Sequence, residues 1–71
     1  MKKQMKKQRY YLKVEIRTMK FYNTVENHFS RIVEGENSFD CQEKLFKDLC
    51  ETFKYTKISH YMDVLSITLL D

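Results

Sequence analysis

The sequence predicts a small α+β domain of order β-β-α-β, with one amphipathic helix packed on one face of an antiparallel three-stranded sheet. Three segments carry this prediction: residues 10–18 alternate between apolar and polar, residues 38–55 repeat with a helical period, and residues 59–70 are rich in apolar and β-branched residues. A chain of 71 residues suffices for one such domain with one modest core.

The first strand is predicted from a strict period of two. Apolar and charged residues alternate from Tyr10 to Arg17, as expected of a strand with one buried face. The buried face is predicted to hold Tyr10, Leu12, Val14 and Ile16, and the other face Tyr11, Lys13, Glu15 and Arg17.

The helix over residues 38–55 is predicted from its apolar spacing. At 100° per residue its large apolar side chains fall within about 140° of one another. These are Phe39, Leu45, Phe46, Leu49, Cys50 and Phe53. Ser38 is the predicted N-cap, and Asp40 and Glu43 place negative charge where the helix dipole favours it.

The last strand, over residues 59–70, is predicted to be apolar on both faces. Leu65, Ile67 and Leu69 alternate on one side. The other side is predicted to carry Met62, Val64, Ser66, Thr68 and Leu70. Because one helix covers only one face of a sheet, we expect the second face to meet a partner molecule.

Residues 20–34 allow two interpretations. Their apolar residues fit a helical arc ending before Gly35, which gives the order β-α-α-β. Their composition is poor for a helix, which favours a hairpin with strand 10–22, a turn at Asn23–Asn27 and strand 28–34. The hairpin is preferred because the first strand needs a neighbour close in sequence, and three strands are more stable than two.

The charge of the chain is concentrated in residues 1–9, which we expect to form a disordered basic arm before a single domain of residues 10–71. The arm carries Lys2, Lys3, Lys6, Lys7 and Arg9 without an acidic residue. Removing these five from the 13 basic residues leaves eight against ten acidic residues, so the domain has a net charge of about −2. The formal charge of +3 therefore belongs to the arm.

The sequence predicts neither an enzyme nor a cofactor or metal site. Cys41 and Cys50 lie on opposite sides of the predicted helix, Cys50 in the core and Cys41 at its margin. His28 and His60 lack the spacing of zinc ligands or of a Cys–His nucleophile pair. No apolar stretch is long enough for a membrane span and no secretory signal begins the chain, so we expect a cytoplasmic protein with reduced thiols.

The first functional hypothesis is a small protein-binding module that forms a homodimer or binds a protein partner. Met62, Val64, Ser66, Thr68 and Leu70 would pair back to back, or an edge strand would add to another sheet. Absence of Ala and Pro, with a single Gly, indicates a low-GC genome. We therefore expect a bacterial, phage or mobile-element accessory protein that modulates or inhibits another macromolecule.

The second hypothesis is a nucleic-acid-binding module. The arm would neutralise phosphates, and Tyr11, Lys13 and Arg17 on one strand face would add a stacking ring and two further charges. Glu15 on the same face weakens this hypothesis, because its charge opposes that of a phosphate.

Overall fold

The chain folds as an open antiparallel sheet with one helix on one face, which confirms the predicted α+β order β-β-α-β. The computed structural model describes residues 7–20 and 24–70. The elements are β1 (Gln8–Thr18), β2 (Val25–Gly35), α1 (Ser38–Phe53) and β3 (His60–Leu69), and the strands lie in the order β2-β1-β3. No helix among these residues is long and apolar enough to cross a membrane.

The pairing of β2 with β1 decides between the two interpretations of residues 20–34. β2 runs antiparallel to β1 from the pair Gln8 and Gly35 to the pair Arg17 and Val25. The hairpin is therefore correct and the order β-α-α-β is wrong, because pairing overrides helical spacing in a segment of weak helix formers. The predicted turn at Asn23–Asn27 reached too far, since β2 begins at Val25, and residues 21–23 lie outside the described residues.

β1 is displaced from its predicted bounds at both ends. It ends at Thr18 instead of continuing to residue 22. It begins at Gln8, so Gln8 and Arg9 of the predicted arm belong to the strand, where Arg9 pairs with Glu34. Residues 1–6 of the arm lie outside the described residues.

The start of α1 is fixed by a pair of side-chain hydrogen bonds one residue before the predicted cap. The Asn37 side chain accepts a hydrogen bond from the backbone N–H of Asp40 at 2.8 Å, so Asn37 and not Ser38 is the N-cap. The Asp40 carboxylate in turn accepts from the N–H of Glu36 at 3.0 Å. This bond, with the nearby Lys44 ammonium, lowers the pKa of Asp40.

The core lies between β1 and the Cys41–Leu45–Leu49 stripe of α1. These three side chains are buried, as are Leu12, Val14, Ile16, Phe29 and Tyr55. Cys41 is fully buried, so its predicted place at the margin of the core is wrong. Phe39 belongs to the predicted apolar stripe but is 65% exposed in the first turn of α1, so its predicted burial is wrong.

A β-bulge changes the faces of β3. Lys13 pairs with Ser66 and Val14 with Val64, so Leu65 is an extra residue without a partner on β1. Alternation restarts at the bulge, which places Met62 and Val64 on the helix side together with Ile67. The predicted second apolar face is wrong for these two residues.

Candidate functional site: the edge strand β3

β2 and β3 are both edge strands, and each presents alternate backbone groups away from β1. Leu70 donates its N–H to the carbonyl of Arg9 at 2.9 Å, so Leu70 faces β1. Because hydrogen-bonding direction alternates along an antiparallel strand, the backbone groups of Leu69 and Ile67 point outward. On the opposite edge the same alternation turns the backbone of Ile32 outward.

Side chains contact three of the outward backbone groups along β2. The contacts are Lys44 Nζ to the Glu34 carbonyl at 3.3 Å, Arg31 Nη1 to the Ser30 carbonyl at 3.0 Å, and the His28 N–H to Asn27 Oδ1 at 3.2 Å. The strand also carries charged side chains in both halves, and Arg31 lies over the Phe29 ring at 5.1 Å. Both features discourage the pairing of another strand with this edge.

In the part of the chain that the structure describes, the second half of β3 has neither side-chain hydrogen bonds to its outward backbone groups nor charged side chains. Residues 64–70, VLSITLL, contain no charge, no Gly and no Pro. Among the residues that the structure describes, no side chain is hydrogen-bonded to an outward backbone group between Met62 and Leu69. An uncharged edge segment of this composition is suited to main-chain pairing with another strand.

The position of α1 leaves β3 partly uncovered. The helix lies close to β2, where a narrow cleft of about 320 Å³ is lined by residues 31–34 of β2 and by Lys44, Leu45 and Asp48. The Cys41 thiol reaches the Val33 carbonyl at 3.5 Å on this side. No residue of β3 is fully buried, and Leu69 at its end is 48% exposed.

A larger groove lies along the flank of α1 that faces away from β2. Its volume is about 660 Å³, and its lining consists of Glu43, Phe46, Lys47, Cys50, Glu51, Tyr55 and Lys57. Phe46 and Cys50 contact the core from this flank, as Met62, Val64 and Ile67 do from β3. Cys50 therefore packs on the core as predicted but is half-buried, and burial raises its pKa.

The five predicted interface residues all belong to β3 or follow it directly, but they do not share a face. Met62 and Val64 pack on the helix side. Ser66 and Thr68 pair with Lys13 and Tyr11 on the open side of the sheet. Leu70 comes directly after the strand and is 44% exposed. A back-to-back contact therefore has fewer apolar residues than the alternation predicted.

Tyr11, Lys13 and Arg17 of the predicted nucleic-acid site lie on the open face of the sheet, where the charge of Arg17 is partly neutralised. Lys13 stands 6.0 Å from the centre of the Tyr11 ring. Arg17 contacts Glu15 at 3.0 Å and Asp63 at 3.8 Å, so acidic groups share its charge. Lys7 is exposed and Arg9 lies in β1, whereas Lys2, Lys3 and Lys6 lie outside the described residues.

His60 forms a small polar cluster that sequence reasoning missed. Its Nε2 lies 2.8 Å from Glu26 Oε1, its Nδ1 lies 2.7 Å from Ser59 Oγ, and its ring packs on Tyr55 with centroids 4.4 Å apart. These contacts fix the start of β3 and connect it to β2 across β1. The 34-residue separation of Glu26 and His60 leaves no local signal in the sequence.

Neither thiol has the environment of a nucleophile. Burial and the negative charge of Asp40 raise the pKa of Cys41, which disfavours the reactive thiolate. His28 contacts Glu15 at 3.8 Å, and both thiols are free. Within the described residues no cluster of three or more candidate ligands for a metal ion is found.

Comparison with protein-family models, curated proteins and solved structures finds no match for this chain.

Proposed function

We propose that this chain is a non-enzymatic protein-binding module that takes up an extended polypeptide segment at the edge of β3. The observation that supports the proposal is the uncharged run 64–70, which lies on a sheet edge without side-chain contacts to its outward backbone groups among the described residues. A segment bound there would continue the sheet as a fourth strand.

Two kinds of interaction would stabilise the added strand. Each main-chain hydrogen bond contributes about 0.5–1.5 kcal/mol net. The partly exposed side chains of Ile67 and Leu69, which lie on the helix side, would lose further contact with water.

Strand addition also gives a route to the accessory role that the sequence suggested. By binding an extended segment of another protein, the module would prevent that segment from making its other contacts. Inhibition would then depend on the main chain of β3 and would not require a catalytic group.

Selection from a displayed library of random ten-residue peptides tests the proposal. We expect wild-type protein to enrich peptides that alternate apolar and polar residues, and Leu69→Pro to lose them because it removes an outward N–H. Ile32→Pro is the matched control on β2, since it removes an equivalent outward N–H from the other edge. Enrichment that is equal for all three proteins, or absent with wild type, would count against strand addition at β3.

A second candidate, nucleic-acid binding, is favoured by one observation on the open face. The Tyr11 ring lies there beside the Lys13 ammonium, on the strand that continues the basic arm. Binding of a fluorescent single-stranded oligonucleotide should then weaken steeply with salt and weaken several-fold in Tyr11→Ala. Phe39→Ala is the control, because Phe39 is an exposed ring on α1, which lies on the other face of the sheet.

A further inference from the structure

We infer that the segment which β3 takes up is β3 of a second copy, paired antiparallel about a two-fold axis to give one six-stranded sheet. This inference rests on the proposed function and names its partner. The two outer strands of the joined sheet would be the two copies of β2, where side chains already contact the outward carbonyls of Ser30 and Glu34 and the outward N–H of His28.

Charge is the first argument for a second copy. In an antiparallel strand pair about a two-fold axis, a residue on the axis meets its own equivalent, and every other residue meets the residue equally far beyond the axis. A charged residue on the axis therefore meets a like charge. Residues 64–70 carry no charge and thus avoid this repulsion. β2 does not avoid it, because an axis at Ser30 would bring Glu26 opposite Glu34 of the second copy.

The second argument comes from the faces of the strand. A two-fold axis perpendicular to the sheet keeps both copies of α1 on the same side. Ile67 and Leu69 of one copy would then lie beside the same residues of the other, on the side of the sheet that α1 covers incompletely.

The bulge limits how much of the edge takes part. Leu65 interrupts the ladder with β1, so the regular part of the edge begins at Ser66 and continues to Leu70. Two such segments exchange about four main-chain hydrogen bonds. Their side chains include Leu69 and Leu70, which are 48% and 44% exposed in the single chain and would become covered.

Size gives a third reason for a second copy. The described residues form a small core of eight buried apolar residues, and Cys41 and Cys50 are free, so neither disulfides nor a large interior supports the domain. Self-association is a common means of stabilisation for chains of this size.

Solution mass by light scattering on three proteins tests the inference. The variants are Leu69→Lys on β3 and Ile32→Lys on β2, which replace exposed apolar residues with outward backbone groups on the two edges. We expect wild type and Ile32→Lys to have twice the 8.7 kDa mass of one chain at high salt, and Leu69→Lys to have the mass of one chain.

A second measurement needs no variant. A synthetic peptide with the sequence of residues 62–70 should compete with the second copy and convert the dimer to a monomer–peptide complex. Should Leu69→Lys fail to fold, as judged by circular dichroism, this competition still decides the question.

Two outcomes would overturn the inference: a wild-type chain that is monomeric up to millimolar concentration, or a dimer that the peptide and Leu69→Lys leave intact. A monomeric chain that still enriches strand-like peptides in a Leu69-dependent way would remove the second copy as partner and keep the proposed function. A monomeric chain that enriches no strand-like peptides would contradict both the second copy as partner and the proposed function.

Discussion

The two edges of the sheet have similar lengths but present different chemistry. β2 carries charges along its length, and side chains of its own strand and of α1 bond to its outward backbone groups. β3 has an uncharged second half and is only half covered by the helix. A position at the sheet edge is therefore not enough for a strand to pair with another chain. The side chains around the edge determine whether such pairing can occur.

The placement of α1 explains much of this difference. The helix packs toward β2, close enough for Lys44 to reach the Glu34 carbonyl and for Cys41 to reach that of Val33. The same displacement opens the groove along the other flank, beside Phe46. Closing one edge and opening the other are thus two results of one packing arrangement, and changes to either side can test it.

The contact between α1 and the end of β2 should be the most sensitive to substitution. A Cβ atom at Gly35 would lie 2.7 Å from Asp40 Oδ2 and 2.8 Å from the buried Cys41 Sγ. We expect Gly35→Ala to lower the free energy of unfolding by about 1–3 kcal/mol, measured by urea denaturation at fixed protein concentration. Ser30→Ala, at an exposed position of the same strand on the face away from α1, is the control, and an equal effect of the two substitutions would contradict the proposed packing.

The helix cap should have the next largest effect. Asn37→Ala removes the acceptor for the Asp40 N–H and should cost about 1 kcal/mol of unfolding free energy. Ser38→Ala changes the residue that the sequence alone suggested as cap, and its effect should stay below about 0.5 kcal/mol. Thermal unfolding of both variants makes the comparison, and a larger loss for Ser38→Ala would show that the cap is misassigned.

Removing the side-chain contacts to the β2 backbone should allow this edge to pair with other copies of the chain. The double variant Arg31→Ala/Lys44→Ala leaves the Ser30 and Glu34 carbonyls without these donors. We expect its mean mass by light scattering to rise above that of wild type as concentration increases. Lys13→Ala/Lys57→Ala removes the same charge elsewhere and should leave the mass unchanged; equal behaviour of the two double variants would show that the β2 contacts do not protect the edge.

Acidification should remove a smaller stabilising contribution at the β2 side. The pKa of Asp40 is lowered in the folded state, so its contribution is full above the unfolded-state pKa of about 4 and is lost as the pH falls through the lower folded-state value. We expect the difference in unfolding free energy between wild type and Asp40→Asn to be constant at neutral pH and to shrink below about pH 4. A difference that does not change with pH would contradict the ionised role of Asp40.

Local patterns predicted the elements well because each depends on neighbouring residues. The alternation around Val14 gave the correct strand and the correct buried side. The helical spacing around Leu45 gave the correct helix but misplaced Cys41 and Phe39 relative to the core. The hairpin was predicted from the need of β1 for a partner. Tyr11 points to the open face as its position in the alternation indicated.

The candidate site was predicted only in part, because it depends on tertiary register. The sequence pointed to β3, but strict alternation places Val64 on the open face, and the bulge at Leu65 reverses that assignment. The contacts at the β2 edge join Lys44 to Glu34, ten residues away, and depend on how the helix crosses the sheet. No periodicity within one segment encodes such contacts.

The most direct test of the difference between the edges is amide hydrogen exchange by NMR at concentrations where the mass is that of a dimer. The N–H groups of Ile67 and Leu69 on β3 and of Ile32 on β2 all point away from β1. Pairing through β3 predicts slow exchange for the N–H groups of Ile67 and Leu69 in the dimer, and this slow exchange should become fast on dilution. The N–H of Ile32 should exchange fast at every concentration. Fast exchange at Ile67 and Leu69, or slow exchange at Ile32, would contradict the assignment of β3 as the binding edge.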